Sequence, residues 1–210
     1  MLLVSASVFV VLVVICVKGE DDCMPPKPGE KHIHPPECCK LEGVSGIYPD
    51  AMKVAAGKCR EKFPHPPHLP KPSGSPPPGP PPRSPEMKKY ITCMAECVFT
   101  EVGVVKDGKL DKDAAMKSFK TDNKELTSTI SAAIDKCFTT YEKDVDPSLE
   151  CKSGAAEMEK CVMREIFLSC PSSMWNDSAE CTALKTKIDK CPQMPVMLMG
   201  PPGPRSPRPH

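Results

Sequence analysis

The spacing of its cysteines constrains this chain more than any other feature of the sequence. Eight of them form a ladder in the C-terminal part: Cys93, Cys97, Cys137, Cys151, Cys161, Cys170, Cys181 and Cys191. Cys93 and Cys97 lie one turn apart on the same side of a predicted helix, so they cannot comfortably bond to each other. We therefore expect each to reach a different partner. Spacing alone leaves the connectivity of the ladder open.

An apolar segment opens the chain. No charged residue falls between Leu2 and Val17, and this run is short for a membrane span, which needs about 20 residues. Val17 and Gly19 place short side chains at the two positions that a signal peptidase reads. We predict a secretory signal peptide over residues 1–19, with an uncleaved anchor as the alternative, and hence a secreted, extracellular protein.

The number of cysteines fits an oxidising compartment. Removal of Cys16 with the signal leaves twelve of the thirteen cysteines, and an even number in a secreted chain predicts a disulfide framework of up to six bridges. The pair His32 and His34 beside Cys38 and Cys39 superficially resembles a zinc site. Zinc would need free thiolates there, and the spacing matches no standard finger. We therefore predict no metal.

The pattern of apolar residues predicts helices throughout. Apolar side chains recur at three- and four-residue steps, and no segment shows the alternation typical of a strand. The predicted helices cover residues 49–63, 86–105, 111–120, 125–143, 153–169 and 177–190. Asp107-Gly108 predicts a turn, and Asp111 is suited to cap the helix that follows it. The residues that recur at helical steps in the second helix are Tyr90, Ile91, Met94, Cys97, Val98 and Glu101. The fold class is all-α, with five to six helices stapled by about six disulfides and irregular proline-rich extensions.

Proline-rich segments divide the chain. Proline lacks the amide donor and fixes φ, so these segments are not helical. The predicted units are an irregular N-terminal extension (20–46), a first helix (47–63), a proline-rich insert (64–85), a helical core (86–192) and a proline-rich tail (193–210). We interpret the insert as a spacer, with docking into a partner's aromatic groove as the alternative. Residues 196–199 either cover the core or enter a groove, and residues 200–210 are predicted to be disordered.

The inventory of side chains argues against an enzyme. All histidines lie in proline-rich or terminal segments: His32, His34, His65, His68 and His210. None falls in the predicted core, so a Ser-His-Asp or Cys-His site cannot form there. No nucleophile-elbow, metalloprotease or phosphate-loop motif occurs. The formal net charge of +1 gives no reason to expect nucleic acid as a partner. We predict no catalytic residues and no cofactor.

Residues 59–181 resemble the insect pheromone/general odorant-binding family, specifically its Plus-C subgroup. They read C-x33-C-x3-C-x39-C-x13-C-x9-C-x8-C-P-x9-C, and the CMAEC pair, the DGKLDKD turn and the CVMREIFLSCP run add to the likeness. The resemblance implies disulfides Cys59–Cys97, Cys93–Cys161 and Cys137–Cys170. On the same basis we expect Cys151–Cys181, with the termini stapled by Cys23, Cys38, Cys39 and Cys191. The gap between Cys137 and Cys151 is shorter, and the proline-rich insert longer, than in the subgroup.

The resemblance also implies a function, that of a secreted carrier that reversibly binds small hydrophobic, odorant-like molecules. The candidate ligand-binding residues are Met94, Val98, Met116, Phe119, Ile130, Ile134, Phe138, Val162 and Ile166. Any of them could equally be ordinary core, and a surface groove or a dimer interface are alternative sites. A homodimer and contact with a membrane receptor are further partners left open. The alternative function is a secreted protein–protein interaction module on the same scaffold, without a small-molecule cavity. Asn176-Asp177-Ser178 is a candidate glycosylation sequon.

Overall fold

The structure, a computed structural model, is mostly helical, as predicted. It describes residue 23 and residues 33–41, 50–66 and 84–198. The predicted signal peptide, most of the proline-rich insert and the end of the tail lie outside these residues. The helices are α1 (Pro35–Cys38), α2 (Asp50–Lys62), α3 (Pro85–Glu101), α4 (Lys112–Ser118), α5 (Lys124–Phe138), α6 (Ala155–Leu168) and α7 (Ala179–Lys190), with a 3-10 helix at Tyr141–Asp144.

Side-chain caps fix where four of the helices begin. Ser84 accepts a hydrogen bond from the Met87 amide at the start of α3, and Asp111 accepts one from the Ala114 amide at the start of α4. Asn123 accepts from the Leu126 amide at the start of α5, and Ser178 accepts from the Cys181 amide at the start of α7. Each satisfies a backbone donor that the first turn of a helix leaves without a partner. The predicted cap at Asp111 is confirmed.

A small hairpin joins α3 to α4. Strand β1 (Val105–Lys106) pairs antiparallel with β2 (Lys109–Leu110), and Val105 lies opposite Leu110. The two residues between the strands, Asp107 and Gly108, have φ values of 51° and 73°. A two-residue hairpin turn with positive φ at both positions favours Asp-Gly, so the predicted turn is confirmed.

Helices α5 and α6 form the centre of the core. From α5, Leu126, Ile130 and Ile134 are at most 2% exposed, and from α6, Met158 and Ile166 are equally buried. Their spacing of three or four residues places each set on one helix face. Burial of each such side chain contributes about 1.5–3 kcal/mol relative to exposure. Helix α3 packs on α6 from one side and on α2 from the other.

The most buried residues of α3 differ from the set that the sequence places at helical steps. The buried residues of this helix are Thr92, Cys93, Ala95 and Phe99, whereas Tyr90, Met94 and Val98 are half-buried and Glu101 is exposed. Thr92, Ala95 and Phe99 are three and four residues apart, so these buried residues share one face of α3. Cys97 takes the side toward α2, where it bonds to Cys59.

Six disulfides join the twelve cysteines of the described residues. One group consists of Cys59–Cys97, Cys93–Cys151 and Cys137–Cys161. The other consists of Cys23–Cys191, Cys38–Cys181 and Cys39–Cys170. Cys93 and Cys97 do reach different partners, as their one-turn spacing requires. Of the bridges that the resemblance implies, Cys59–Cys97 is present.

The other implied pairings, Cys93–Cys161, Cys137–Cys170 and Cys151–Cys181, differ from the structure. Cys161 lies within α6, which packs along α5 and brings its Cα atom 5.8 Å from that of Cys137. Cys151 precedes α6 and is therefore free to reach Cys93 on α3, with Cα atoms 5.0 Å apart. Cys170 follows the end of α6 and bonds to Cys39. The implied pairing was thus displaced by one cysteine along the chain.

The N-terminal extension is more regular than predicted. Residues 35–38 form the short helix α1, and Cys39 forms an isolated β-bridge with Trp175. The Lys40 amide donates to the Met174 carbonyl at 2.9 Å, and the Asn176 amide donates to the Cys38 carbonyl at 2.7 Å. Disulfides from Cys38 and Cys39 hold this helix in place, which four residues among prolines could not achieve alone.

The start of the tail covers the core, one of the two outcomes expected for residues 196–199. Val196 and Leu198 are 6% and 3% exposed and belong to the core cluster, whereas Met197 between them is 64% exposed.

The Arg164 guanidinium of α6 donates to the carbonyls of Ile188, Asp189 and Cys191. It thereby satisfies carbonyls at the C-terminus of α7, where a positive charge is also favoured by the helix dipole.

Candidate ligand-binding site

A closed apolar cavity lies between α3, α4, α5 and α6. Its wall consists of Phe99, Ala115, Phe119, Ile134, Met158, Glu159, Val162 and Met163. Its volume is about 10 Å³, the lower limit for a cavity that holds one water molecule. Pockets that hold small molecules measure about 300–1,000 Å³. The core is therefore almost filled in this conformation.

Two aromatic rings line the cavity on the side of α3 and α4. Phe99 and Phe119 have ring centroids 6.0 Å apart at an interplanar angle of 49°, within the range of favourable aromatic pairs. Phe119 lies directly after α4 and is 8% exposed. Met158 and Met163 line the cavity from α6, and their unbranched side chains adapt readily to a change in its shape.

Three of the predicted ligand-binding residues line this cavity: Phe119, Ile134 and Val162. Ile130 and Ile166 are buried in the same core but do not line it, and Val98, Met116 and Phe138 are partly buried against the core. Met94 is half-buried on α3. A role of any of the nine in binding stays a prediction.

The other residues of the cavity wall are not among those predicted from the sequence. On α3 the candidate is Val98, the neighbour of Phe99. Met158 and Val162 are four residues apart, so the helical period would have placed Met158 on the same wall. Ala115 offers only a methyl group, and nothing in its side chain distinguishes a cavity wall from an ordinary helix contact.

Two acidic side chains of α6 differ in their surroundings. Glu159 is half-buried and contributes to the cavity wall. Glu157 is not part of the wall; burial raises its pKa, and the negative charge of Asp144 adds to this shift. Neutral carboxyl groups are less costly to bury than charged ones.

A second depression runs along the outer face of α7 and is open to solvent. It measures about 870 Å³ and is lined by Asp177, Ser178, Ala179, Thr182, Ala183, Thr186, Lys187, Lys190 and Cys191. Its wall contains charged and hydroxyl groups, which suit an apolar ligand less well than the closed cavity does.

The described residues contain neither a metal-binding group nor a membrane-spanning helix. In residues 33–41, 50–66 and 84–198, and at residue 23, no three His, Cys, Asp or Glu side chains lie close enough to hold a metal ion. Cys38 and Cys39 are both oxidised to disulfides, so neither offers the thiolate that the zinc interpretation needs. No helix of this part is long and apolar enough to span a membrane.

The cavity and three of the disulfides lie within one stretch of the chain that matches a known family. The profile of the PBP/GOBP family matches residues 52–165, from α2 to α6. The chain belongs to the PBP/GOBP family. All eight residues of the cavity wall fall inside the family region. Its six cysteines pair only with one another, and the six described cysteines outside it do the same.

Two proteins of Anopheles gambiae are similar to this member of the family. General odorant-binding protein 67 is 27% identical over 106 residues, which make up 47% of this chain and 52% of the relative. Odorant-binding protein 47 is 26% identical over 117 residues, 48% of this chain and 51% of the relative. The chain thus spans about half the length of the curated relatives it matches.

Proposed function

We propose that this protein is a secreted carrier that reversibly binds small hydrophobic, odorant-like molecules without transforming them. Membership of the PBP/GOBP family and the names of the two relatives support this proposal. The observation that carries it is the closed cavity in the family region, whose wall is apolar apart from Glu159. Three disulfides in addition to those of the family region support the Plus-C subgroup and an extracellular location.

A ligand would have to enlarge this cavity, and α4 is the element best placed to move. The 39 residues between Cys97 and Cys137 contain no cysteine, so α4 and its hairpin are tethered by no disulfide. An exposed ion pair, Lys112 to Asp135 at 2.6 Å, joins α4 to α5, and such pairs contribute roughly 0–1 kcal/mol. Outward movement of α4 with Phe119 would open the cavity without breaking a covalent bond.

The proposal is tested with an uncharged naphthylamine fluorophore added to the oxidised full chain. Saturable binding that volatile apolar compounds displace is the expected result. Ala115→Leu fills the space beside α4 and should weaken binding by about tenfold, the effect of roughly 1.4 kcal/mol. Phe119→Ala enlarges the cavity and should strengthen binding of compact apolar compounds, at a cost in stability of about 3–5 kcal/mol.

A matched control separates lost binding from lost stability. Ile188 is fully buried on α7 and lies outside the cavity wall. Ile188→Ala should lower the unfolding midpoint, by about 2–5 kcal/mol in free energy, and leave the affinity for the fluorophore unchanged. Absence of saturable binding at every pH between about 5 and 8, the range in which histidine titrates, would exclude the carrier.

A secreted protein–protein interaction module is the second candidate. The small cavity volume, about 10 Å³, favours it, because a filled core offers no space for a ligand. If the fluorophore does not bind, and Ala115→Leu and Phe119→Ala change stability alone, the module becomes the better account.

A further inference from the structure

The chain's one N-x-S/T sequon lies at the junction between the N-terminal segment and α7. Asn176, Asp177 and Ser178 immediately precede α7. Asn176 and Ser178 are half-buried and Asp177 is exposed. The sequon therefore reaches the surface, but two of its residues are packed into the fold.

The polar groups of the sequon are engaged in the folded protein. Asn176 Nδ2 donates to the Glu37 carbonyl at 3.3 Å, a long hydrogen bond. The backbone amide of Asn176 donates to the Cys38 carbonyl, and the Ser178 amide donates to the Asn176 carbonyl at 2.8 Å. The Ser178 hydroxyl accepts from the Cys181 amide at 3.2 Å as the cap of α7.

Two disulfides hold the sequon against the N-terminal segment. Cys38, whose carbonyl receives the Asn176 amide, bonds to Cys181 in the first turn of α7. Cys39 bonds to Cys170, six residues before the sequon. Once both bridges have closed, the sequon cannot extend without breaking the contacts with residues 37–38.

We propose that Asn176 carries an N-linked oligosaccharide that is attached before the Cys38–Cys181 bridge closes. Asn176 Nδ2 forms a bond to C1 of an oligosaccharide carried on a lipid diphosphate. The bond between C1 and the diphosphate oxygen breaks, the lipid diphosphate leaves, and the amide proton passes to a base. Nδ2 keeps one hydrogen, so its hydrogen bond to the Glu37 carbonyl can still form when the chain folds.

The order of the residues along the chain makes this sequence of events feasible. During synthesis Asn176 emerges before Cys181, so the bridge cannot form until the sequon has left the ribosome. Until then the Ser178 hydroxyl does not cap α7 and is available for recognition of the sequon. Glycan transfer and bridge closure therefore compete, and the fraction of chains glycosylated depends on which occurs first.

The experiment uses the full chain secreted from insect cells, with the retained intracellular pool collected beside it. Peptide-N-glycosidase removes an N-linked glycan and converts the asparagine to aspartate, which mass spectrometry detects in the tryptic peptide 165–185. We expect this conversion at Asn176 in part of the wild-type chains. Cys38→Ala with Cys181→Ala should raise the converted fraction, because the sequon then stays open.

Three sequon variants separate the acceptor from the helix cap. Asn176→Gln removes the acceptor, and Ser178→Ala removes both the sequon and the cap; both should abolish the conversion. Ser178→Thr keeps both and should retain it. No conversion in either pool of the wild type and of the cysteine variant would overturn the proposal. A converted fraction that is the same with and without the Cys38–Cys181 bridge would also overturn it, because the competition would then be absent.

Discussion

Cys161 on α6 bonds to Cys137 on α5, with Cα atoms 5.8 Å apart and a sequence separation of only 24. This bridge fastens together the two helices that supply most of the core. With Cys137 and Cys161 paired, Cys151 bonds to Cys93 and Cys170 bonds to Cys39. The family region is thereby closed by its own three disulfides.

A peptide map without reduction distinguishes this pairing from the one that the resemblance implied. Trypsin cleaves after Lys136, Lys143, Lys160 and Arg164, which isolates Cys137 in residues 137–143 and Cys161 in residues 161–164. We expect these two peptides to appear as one linked mass that separates on reduction. Linkage of residues 161–164 to the peptide 90–106, which carries Cys93, would contradict the structure.

The sequence predicted the helices well because each has a strong local signal. The apolar stripe of α5, the Asp107-Gly108 turn and the cap at Asp111 all act within a few residues. The disulfide pairing was less predictable, because the spacings on either side of Cys161 are nearly equal, at nine and eight residues. Tertiary packing sets where α6 ends relative to α5. This position decides which of the two spacings corresponds to the family pattern.

The cavity wall was predicted in part for a similar reason. Ile134 and Val162 lie on helices with one apolar face, so the helical period places them inward. Phe99 lies on α3, which packs on two sides, and periodicity does not choose between it and Val98. Helix α1 was missed because its stability depends on distant partners, Cys170 and Cys181, rather than on its own four residues.

Gly154 is expected to tolerate no side chain. It is buried, has φ of 81°, and a Cβ atom there would overlap the Tyr141 ring and come within 3.2 Å of Val145. Gly154→Ala should lower the free energy of unfolding by about 2–4 kcal/mol, since left-handed backbone and overpacking each cost about 1–3 kcal/mol. Urea unfolding followed by circular dichroism measures this change.

Gly57 provides the matched control. It lies within α2, and a Cβ atom there would meet nothing within 4 Å. Gly57→Ala should therefore raise the free energy of unfolding by about 0.5–1 kcal/mol, because alanine is the better helix former. Equal effects of the two substitutions would show that the backbone at Gly154 is not as described.

Arg164 is expected to stabilise the end of α7. Its guanidinium donates to three carbonyls, those of Ile188, Asp189 and Cys191. Arg164→Ala should lower the free energy of unfolding by about 2 kcal/mol, since hydrogen bonds from a charged group contribute roughly 1.5–3 kcal/mol. Lysine keeps the charge but not the planar fork, so Arg164→Lys should recover only part of this loss.

Lys190 serves as the control for charge alone. It is exposed in the last turn of the same helix, where a positive charge contributes at most about 1 kcal/mol through the helix dipole. Lys190→Ala should have a small effect that vanishes at high salt. A cost for Arg164→Ala no larger than that for Lys190→Ala would contradict a capping role.

Two acidic residues should change the pH dependence of the protein's stability in opposite directions. Burial raises the pKa of Glu157 in the folded protein, so the folded state binds its proton more tightly than the unfolded state does. Stability therefore falls as the pH rises from the ordinary carboxyl range through the raised pKa. Glu157→Gln should stabilise the protein at pH 7, by less than about 1 kcal/mol because the side chain is half exposed, and should have no such effect below about pH 4.

The charged form of Asp146 should stabilise the folded protein, so its contribution should have the opposite pH dependence. Hydrogen bonds from the Lys88 ammonium, at 2.5 Å, and from Ser148 hold the pKa of its carboxyl well below the usual range. The charged form is thus the one that the fold favours, and its contribution is present at neutral pH and lost as the pH falls through that lowered pKa. Asp146→Asn should therefore destabilise the protein at pH 7, and the effect should shrink in acid and, because the pair is solvent-exposed, in high salt. The same sign for Asp146→Asn and Glu157→Gln across a pH series of urea melts would show that one of the two carboxyl environments differs from that seen here.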